Sequence, residues 1–190
     1  MQNGISLVIV MIFLVILSVL GISAMQGSTL SSRIARNEAD RNLAFQAAEA
    51  ALRDGELDAR NLKVDITPCA AGAVGCRSVL IKGGSGGTND FNSTCADGLC
   101  CTVAICGTTV STLPVWTDAT KWAATGATGA TVRYGTYTGA TALPVVFRQP
   151  RYLIEYFAKA QAPVYRVTAV GFGANESTQV MLQSTISVPQ

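Results

Sequence analysis

The sequence predicts an α+β protein: a long amino-terminal α-helix, its first half able to span a membrane, packed on a carboxyl-terminal antiparallel β-sheet with disulfide-stapled loops. Three observations predict this class. Residues 5–25 are almost continuously apolar, an amphipathic pattern follows them, and the carboxyl end holds three segments rich in β-branched and aromatic residues. A chain of 190 residues is expected to form one domain plus a terminal appendage.

The apolar segment is long enough to cross a bilayer. No charged side chain precedes Arg33, and a helix over residues 5–25 would be roughly 31 Å long. Backbone groups in lipid must pair within the segment, so we expect a helix despite the many β-branched residues. A plain single-span anchor is one alternative. A signal cleaved near Ala24 is another, but the long apolar run and the lack of a preceding basic residue oppose it.

An amphipathic helix is predicted to continue from this segment to about residue 60, since Gly55 is tolerable and the first strong break is Pro68. Its predicted packed face recurs at spacings of three, four and seven: Ile34, Arg41, Ala44, Phe45, Ala48, Ala51 and Leu52. Charged residues are predicted mostly on other faces: Arg36, Glu38, Asp40, Arg53, Asp54 and Asp58.

Two pairs on this helix have the favourable i,i+4 order, Glu49 with Arg53 and Glu56 with Arg60, each contributing about 0.2–0.5 kcal/mol. We expect Phe45, Ala48 and Leu52 to pack against the sheet.

After Pro68 the composition shifts to Gly, Thr, Ala and Cys, which favours loops and short strands. We expect an antiparallel sheet of about four to six strands. The candidate strands are residues 79–82, 101–105, 151–158, 164–171 and 179–188, with a turn at 174–177.

All six cysteines lie in one middle stretch, which suits an oxidising compartment and a periplasmic or surface location. They are Cys69, Cys76, Cys95, Cys100, Cys101 and Cys106. We expect disulfides rather than a zinc site, because the last four are not in paired Cys-x-x-Cys knuckles. A bridge from Cys69 to Cys76 would close a small loop, and the neighbours Cys100 and Cys101 are expected to reach different partners.

The composition argues against several function classes. Histidine is absent, which removes the commonest general base and every His-containing zinc site. The formal net charge is only +2, so no direct nucleic-acid binding is expected. We expect neither an enzyme nor a cofactor.

Three loop features carry weak alternatives. The glycine-rich residues 83–87 lack the Lys-Ser/Thr of a phosphate cradle and are interpreted as a connector. Asp90, Asn92, Thr94 and Asp97 loosely resemble a calcium loop, but its central glycine and closing glutamate are missing. Four aromatic residues, interpreted as core or loop anchors, have a binding patch as the alternative: Trp116, Trp122, Tyr134 and Tyr137.

Both ends of the chain resemble a known family. Gly4 followed by ISLVIVMIFLVILSVLG, and then residues 31–56, are similar to the start of PilX-type minor pilins of type IV pili, with residues 41–53 the most specific part. The carboxyl end is also similar to that family, in residues 150–156, 165–173 and 180–185.

The resemblance implies a pilin fold and cleavage by a prepilin peptidase between Gly4 and Ile5, followed by methylation of Ile5. The implied divisions are a leader remnant (1–4), a transmembrane half-helix (5–27), an amphipathic half-helix (28–62) and a periplasmic head (63–190). Residues 1–3 carry no basic side chain, unlike most leaders of this class. We therefore expect a true start upstream or an unusually short leader.

The fifth mature position, glutamate in major pilins, is Ile9 here. The resemblance implies that Ile9, Phe13 and Leu17 pack in a helical bundle at the pilus tip, because a subunit without that carboxylate fits poorly beneath another copy. Its implied route is from the inner membrane to the pilus tip.

The implied partners are other minor pilins, the major pilin and a large tip adhesin. The resemblance further implies a role in priming pilus assembly, with adhesion, twitching motility or DNA uptake as consequences. A type II secretion tip pseudopilin and a membrane-anchored periplasmic enzyme are the alternatives.

Overall fold

The computed structural model describes most of the chain, in two compact units. The described ranges are 5–81, 91–101, 114–123, 125–157 and 164–187, without the side chains of 24–29. The units are Met1–Ala39 and Asp40–Gln190. The first is helical throughout its described residues, and the second contains the end of that helix, a β-sheet and the connecting loops.

Helix α1 spans Ile5–Ala59, which confirms the predicted single helix through Gly55. It ends before Pro68 is reached. Asn61 adopts a left-handed φ of 55°, and the N–H of Leu62 donates to the carbonyl of Leu57 at 2.9 Å. Asparagine tolerates this conformation better than most residues, so Asn61 ends the helix rather than the proline.

Within the described ranges the sheet contains five strands: β1 (Leu99–Cys101), β2 (Val132–Arg133), β3 (Arg151–Phe157), β4 (Val164–Phe172) and β5 (Gln179–Ser187). Strands β3, β4 and β5 confirm the three carboxyl-terminal predictions. The predicted turn at 174–177 is also confirmed, since the N–H of Thr178 donates to the carbonyl of Asn175 there.

The strand order is β1-β3-β4-β5, and β2 also pairs with β3. The β3–β4 and β4–β5 pairs are antiparallel, but β1 runs parallel to β3, with Leu99 opposite Ile154. The sheet is therefore mixed rather than wholly antiparallel as expected. A strand of three residues such as β1 is too short for a local pattern to indicate its direction.

The predicted strand at 79–82 is wrong for residues 79–81, which are irregular. The side-chain amide of Asn61 replaces a strand partner there. It accepts from the N–H of Ile81 and donates to the carbonyl of Ile81, both at 2.8 Å. Ile81 is buried without joining the sheet because its backbone groups are satisfied this way.

Both faces of the sheet are covered in the centre. Tyr152, Ile154 and Val167 lie on the face that packs against α1. Leu153 and Phe172 lie on the opposite face, beside Trp122 of the short helix α2 (Ala119–Trp122). We call this opposite side the outer face. Two-sided cover explains why β3 is almost wholly buried instead of alternating between buried and exposed residues.

Candidate assembly segment and the head that ends it

The first part of α1 is an apolar surface with nothing packed on it among the described residues. Ile5–Ser23 has a mean hydropathy of 3.2, and none of it is buried. Its composition and length suffice to cross a membrane. A continuous apolar surface of this size marks a lipid or protein contact in a folded protein.

The predicted bundle residues lie on this surface. Ile9, Phe13 and Leu17 are 55 %, 64 % and 56 % exposed, and their four-residue spacing places them along one side of the helix. Ile5 begins the described helix, whereas Gly4 lies outside the described residues. Bundle packing and cleavage therefore stay predictions.

The later part of α1 packs through small residues. Ala44, Ala48 and Ala51 are fully buried, and Leu52 packs partly buried against the core. Gly171 of β4 lies so close that an added Cβ would overlap the carbonyl of Ala44 and the N–H of Ala48. The helix meets the sheet through alanine and glycine, which permit close backbone approach.

Phe45 differs from the expected packing, since 43 % of it is exposed. The buried face passes through Ala44, Ala47, Ala48 and Ala51 instead. A phenylalanine would not fit where the helix backbone approaches Gly171, so the large side chain lies beside the contact and the small ones lie within it.

Asp58 anchors the end of the helix through a buried ion pair. Arg77 donates from Nε and Nη2 to the two carboxylate oxygens at 2.8 and 2.6 Å, and the Tyr152 hydroxyl donates to the same carboxylate at 2.8 Å. All three side chains are buried. Burial and the nearby Asp58 and Asp54 carboxylates raise the pKa of Tyr152 well above its usual value, so the phenol keeps its proton.

Asp54 forms a second anchor one turn earlier. Its carboxylate accepts from the Thr138 hydroxyl and from the N–H of Gly135. Burial raises the pKa of Asp54 to about 6, although these hydrogen bonds act in the opposite direction. Two carboxylates thus tie the last turns of α1 to the 135–138 loop, to Arg77 and to β3.

A third carboxylate, Asp40, holds the β4–β5 turn. It accepts from the N–H of Ala174 at 2.6 Å and from the side-chain amide of Asn175 at 2.9 Å. Hydrogen bonding, most of all from Thr178, lowers the pKa of Asp40. Along the second unit, α1 is therefore joined to the head at Asp40, Asp54 and Asp58.

These anchors correct the sequence interpretation, which placed charged residues, Asp54 and Asp58 among them, mostly on faces other than the packed one. The spacing of Ala47, Ala51, Asp54 and Asp58 continues the buried stripe and was the signal available in the sequence. Arg77 had no comparable signal, because it lies in an irregular loop.

The expected i,i+4 ion pairs are not found either among the described residues. The Glu56 carboxylate instead lies 3.9 Å from Nη1 of Arg53, three residues earlier, and it accepts a hydrogen bond from the Ser184 hydroxyl at 2.7 Å.

The disulfides confirm the cysteine analysis for the described residues. Cys69 bridges Cys76, and Cys95 bridges Cys100. Cys101 is also disulfide-bonded, so the two neighbours do reach different partners. Cys106 lies outside the described residues.

Two weaker loop hypotheses concerned a phosphate cradle and a calcium loop. Residues 83–87 and Asp90 are not described. Asn92 accepts from the Thr94 hydroxyl at 2.7 Å and from the N–H of Ala96 at 3.0 Å, as a loop-stabilising side chain does. Among the residues that the structure describes, no group of His, Cys, Asp and Glu side chains is arranged to hold a metal ion.

The four aromatic residues separate into two pairs. Tyr134 and Tyr137 pack partly buried against the core on the helix side of the sheet, and Arg77 lies 4.1 Å above the Tyr137 ring. Trp116 and Trp122 instead border an open cleft on the outer face.

An apolar amino-terminal helix that ends inside a disulfide-stapled α+β head is the architecture of a pilin-class assembly subunit. Residues 3–53 match the family described as PilX N-terminal, and residues 84–188 match the family described as type IV pilus assembly protein PilX C-term. The chain belongs to the PilX family and is a minor pilin of type IV pilus assembly. No curated protein and no solved structure matches it.

Proposed function

We propose that this minor pilin joins a complex at the pilus tip and primes assembly of the filament. The observation that carries the proposal is Ile9, an exposed apolar residue at the position where a shaft subunit needs a carboxylate. Ile5–Ser23 contains no charged residue at all. A subunit stacked above this one would leave its terminal amine unpaired in an apolar bundle, which is costly.

The apolar surface of Ile5–Ser23 supports a two-stage route. It suits an inner-membrane anchor first, with the head in the periplasm, and later a contact with the helices of other subunits. Other minor pilins, the major pilin and a large tip adhesin are the proposed partners. Cleavage by prepilin peptidase between Gly4 and Ile5 precedes assembly, and residues 5–27, 28–62 and 63–190 are the proposed membrane, connecting and head parts.

The proposed role is structural, without catalysis or a cofactor. Pilus-dependent adhesion, twitching motility or DNA uptake would follow from having filaments. The buried acidic groups support this role, because Asp54 and Asp58 are fully engaged with the head. They hold a helix in place rather than face a substrate.

Labelling the head in intact pili tests the location. We expect one label at one end of each filament, and deletion of the gene should reduce pilus number while leaving protein secretion intact. Label along the shaft would contradict the tip assignment. Lost secretion with normal pili would favour the pseudopilin alternative.

Ile9→Glu tests the physical reason, with Ile12→Glu as a matched control on the same surface. We expect Ile9→Glu to enter the shaft, because its carboxylate can pair with the neighbouring amine. Ile12→Glu carries the same charge without that partner and should not enter. If neither variant enters the shaft, residue 9 does not set the location.

Mass spectrometry of the purified protein tests processing. A mature chain that begins at N-methylated Ile5 is expected. A chain that begins near Ala24 would exclude both the processing step and the bundle role.

A further inference from the structure

A cleft of about 520 Å³ lies on the outer face of the sheet, remote from the contacts with α1. Strands β4 and β5 form its floor through Val170, Gln179 and Met181. Its other lining residues come from the 116–123 segment and from the loop before β3: Trp116, Thr117, Ala119, Trp122, Ala123 and Arg148.

Two hydrogen-bond donors at this cleft are buried without a partner among the described residues. They are the Nε1–H of Trp116 and the Nε–H of Arg148. The neighbouring Trp122, by contrast, donates its Nε1–H to the carbonyl of Trp116 at 2.9 Å. Both nitrogens are closed to solvent, so a ligand in the cleft reaches the side chain of Arg148 that lines it rather than these two atoms.

The cleft is also positively charged. Arg148 stacks 4.2 Å above the Phe172 ring and forms no ion pair with the described residues. The buried guanidinium of Arg151 does not line the cleft, and its partners among the described residues are the neutral Thr131 and the carbonyl of Gly126. Burial, then Arg148 and Arg133, lower the pKa of Arg151 to about 10. An anionic acceptor group would therefore be favoured here.

The floor of the cleft is an edge strand. β5 pairs with β4 from Gln179 to Ser187 and with no other strand in the described part of the sheet. It contains no charged residue and no proline, the devices that usually protect an edge from pairing. On its outer side Met181 is 40 % exposed.

We propose that β5 and the cleft together bind an acidic, extended peptide segment of a partner protein. The segment adds to the free edge of β5 as a further strand and places a carboxylate side chain beside Arg148 and Trp116. The backbone hydrogen bonds supply affinity, and the cleft selects the side chain.

The geometry favours a peptide over an acidic sugar. An added strand would lie about 4.8 Å from β5, and every second side chain would point to the outer face, where the cleft lies. Strand addition thus uses the backbone edge of β5 and the charge of Arg148 at once, whereas a sugar would use only the charge. The proposal concerns the head alone and holds whether or not the chain lies at the pilus tip.

Fluorescence anisotropy with the full chain in detergent micelles tests the proposal directly. The probe is a labelled nine-residue peptide of alternating threonine and valine with a central glutamate. A peptide with central glutamine is its control, and we expect it to bind about tenfold more weakly. Equal binding of the two peptides, or no binding of the glutamate peptide at about 1 mM, would overturn the proposal.

Two N-methylated versions of the probe test strand addition. In each, alternate amides on one edge are methylated, so only one version blocks the edge that pairs with β5. We expect one version to lose binding at least about tenfold and the other to keep it. If both bind like the parent peptide, the segment is not an added strand.

Two variants test the cleft. Arg148→Met keeps the stem over Phe172 and should abolish the preference for glutamate over glutamine. Trp116→Phe shortens a side chain that lines the cleft and should weaken the glutamate peptide about threefold to tenfold through lost contact area. Arg53→Gln, which changes an exposed arginine on α1, should leave binding unchanged. Full binding by both cleft variants would overturn the assignment, as would glucuronate binding in the cleft when the peptides do not bind.

Discussion

The two halves of α1 share a helical backbone but differ in the size, polarity and burial of their side chains. In Ile5–Ser23 every side is apolar and none of it is buried. In the half that belongs to the second unit, alanines are buried while Phe45 is 43 % exposed, and the acidic residues Asp54 and Asp58 are buried. The first half contributes large side chains to a surface, and the second contributes small ones to a core.

The difference shows that hydrophobicity alone does not say what a helical residue does. A large apolar residue in the first half lies on an open surface that suits lipid or another subunit, where the gain from burial is roughly proportional to apolar area. In the second half the backbone of β4 lies close to the helix at Gly171. There, the size of a side chain and its hydrogen bonds decide which residue fits.

The largest expected effect comes from breaking the buried ion pair. Arg77→Ala would leave the Asp58 carboxylate, 2 % exposed, without its cation. We expect the free energy of unfolding to fall by about 3–5 kcal/mol. Urea unfolding of the full chain in detergent, followed by tryptophan fluorescence, measures this loss.

The matched control is Arg53→Ala, because the Arg53 side chain is 66 % exposed. This substitution should lower the free energy of unfolding by about 0.5 kcal/mol or less. Equal losses in the two variants would show that Asp58 does not depend on Arg77.

The next prediction tests the contrast between the two halves of α1 by changing one phenylalanine to arginine in each half. Phe13→Arg puts a charge into the apolar segment, at a cost of about 2.5–3.5 kcal/mol for insertion near a bilayer centre. The protein should move out of the membrane fraction after alkaline extraction. Phe45→Arg should remain in that fraction, since Phe45 lies beyond Ile5–Ser23. The contrast between the halves is refuted if Phe13→Arg inserts as well as the wild type does.

The buried Asp54 should make stability depend on pH. Its folded pKa is about 6, against 3.8 for an ordinary aspartate. Between these values the folded state holds more protons than the unfolded state, so the free energy of unfolding falls as pH rises, by about 3 kcal/mol in total. Asp54→Asn should remove this decline, measured as the difference from wild type at pH 4 and pH 7.

Asp65→Asn is the control for that experiment. Hydrogen bonds from Thr67 lower the pKa of the exposed Asp65, so its loss should leave the decline between pH 4 and pH 6 in place. A decline that persists in Asp54→Asn would assign the pH dependence to another group.

The smallest expected effect compares one substitution at two glycines of α1. At Gly55 an added Cβ would lie 2.5 Å from Cγ1 of Val167, while at Gly21 nothing lies within 4 Å. Alanine improves helix propensity at both sites by about 0.5–1 kcal/mol, but overpacking at Gly55 costs about 1–3 kcal/mol. We expect a net loss of about 1–2 kcal/mol for Gly55→Ala and no loss for Gly21→Ala in urea unfolding. A stabilised Gly55→Ala variant would mean that the side chains packed on Gly55 shift to accommodate the added methyl group.

Much of the fold could be predicted because it follows from patterns that repeat locally in the sequence. The apolar run and the helical spacing gave α1 nearly to its last residue, and the β-branched segments gave β3, β4 and β5. The short loop between Cys69 and Cys76 was also closed as expected. Each of these depends on residues close in sequence.

The candidate sites could be predicted from the sequence less well than the fold. Asp58 and Arg77 are 19 residues apart and Asp58 and Tyr152 are 94 apart, so no local pattern connects them. Trp116 and Arg148 meet at the cleft only because the 116–123 segment and the loop before β3 come together on the outer face. The spacing of Asp54 and Asp58 continues that of the buried alanines, but charged residues were predicted mostly on faces other than the packed one, since acidic residues are usually exposed.

The sequence by itself determined the apolar helix, the class of the head and the family to which the chain belongs. Tertiary structure alone decided the direction of β1, the exposure of Phe45 and the partners of the buried carboxylates. The physical reason is that periodicity follows from the backbone repeat of a single element. A contact between elements depends instead on how closely their backbones approach, and small residues such as Gly171 set that distance.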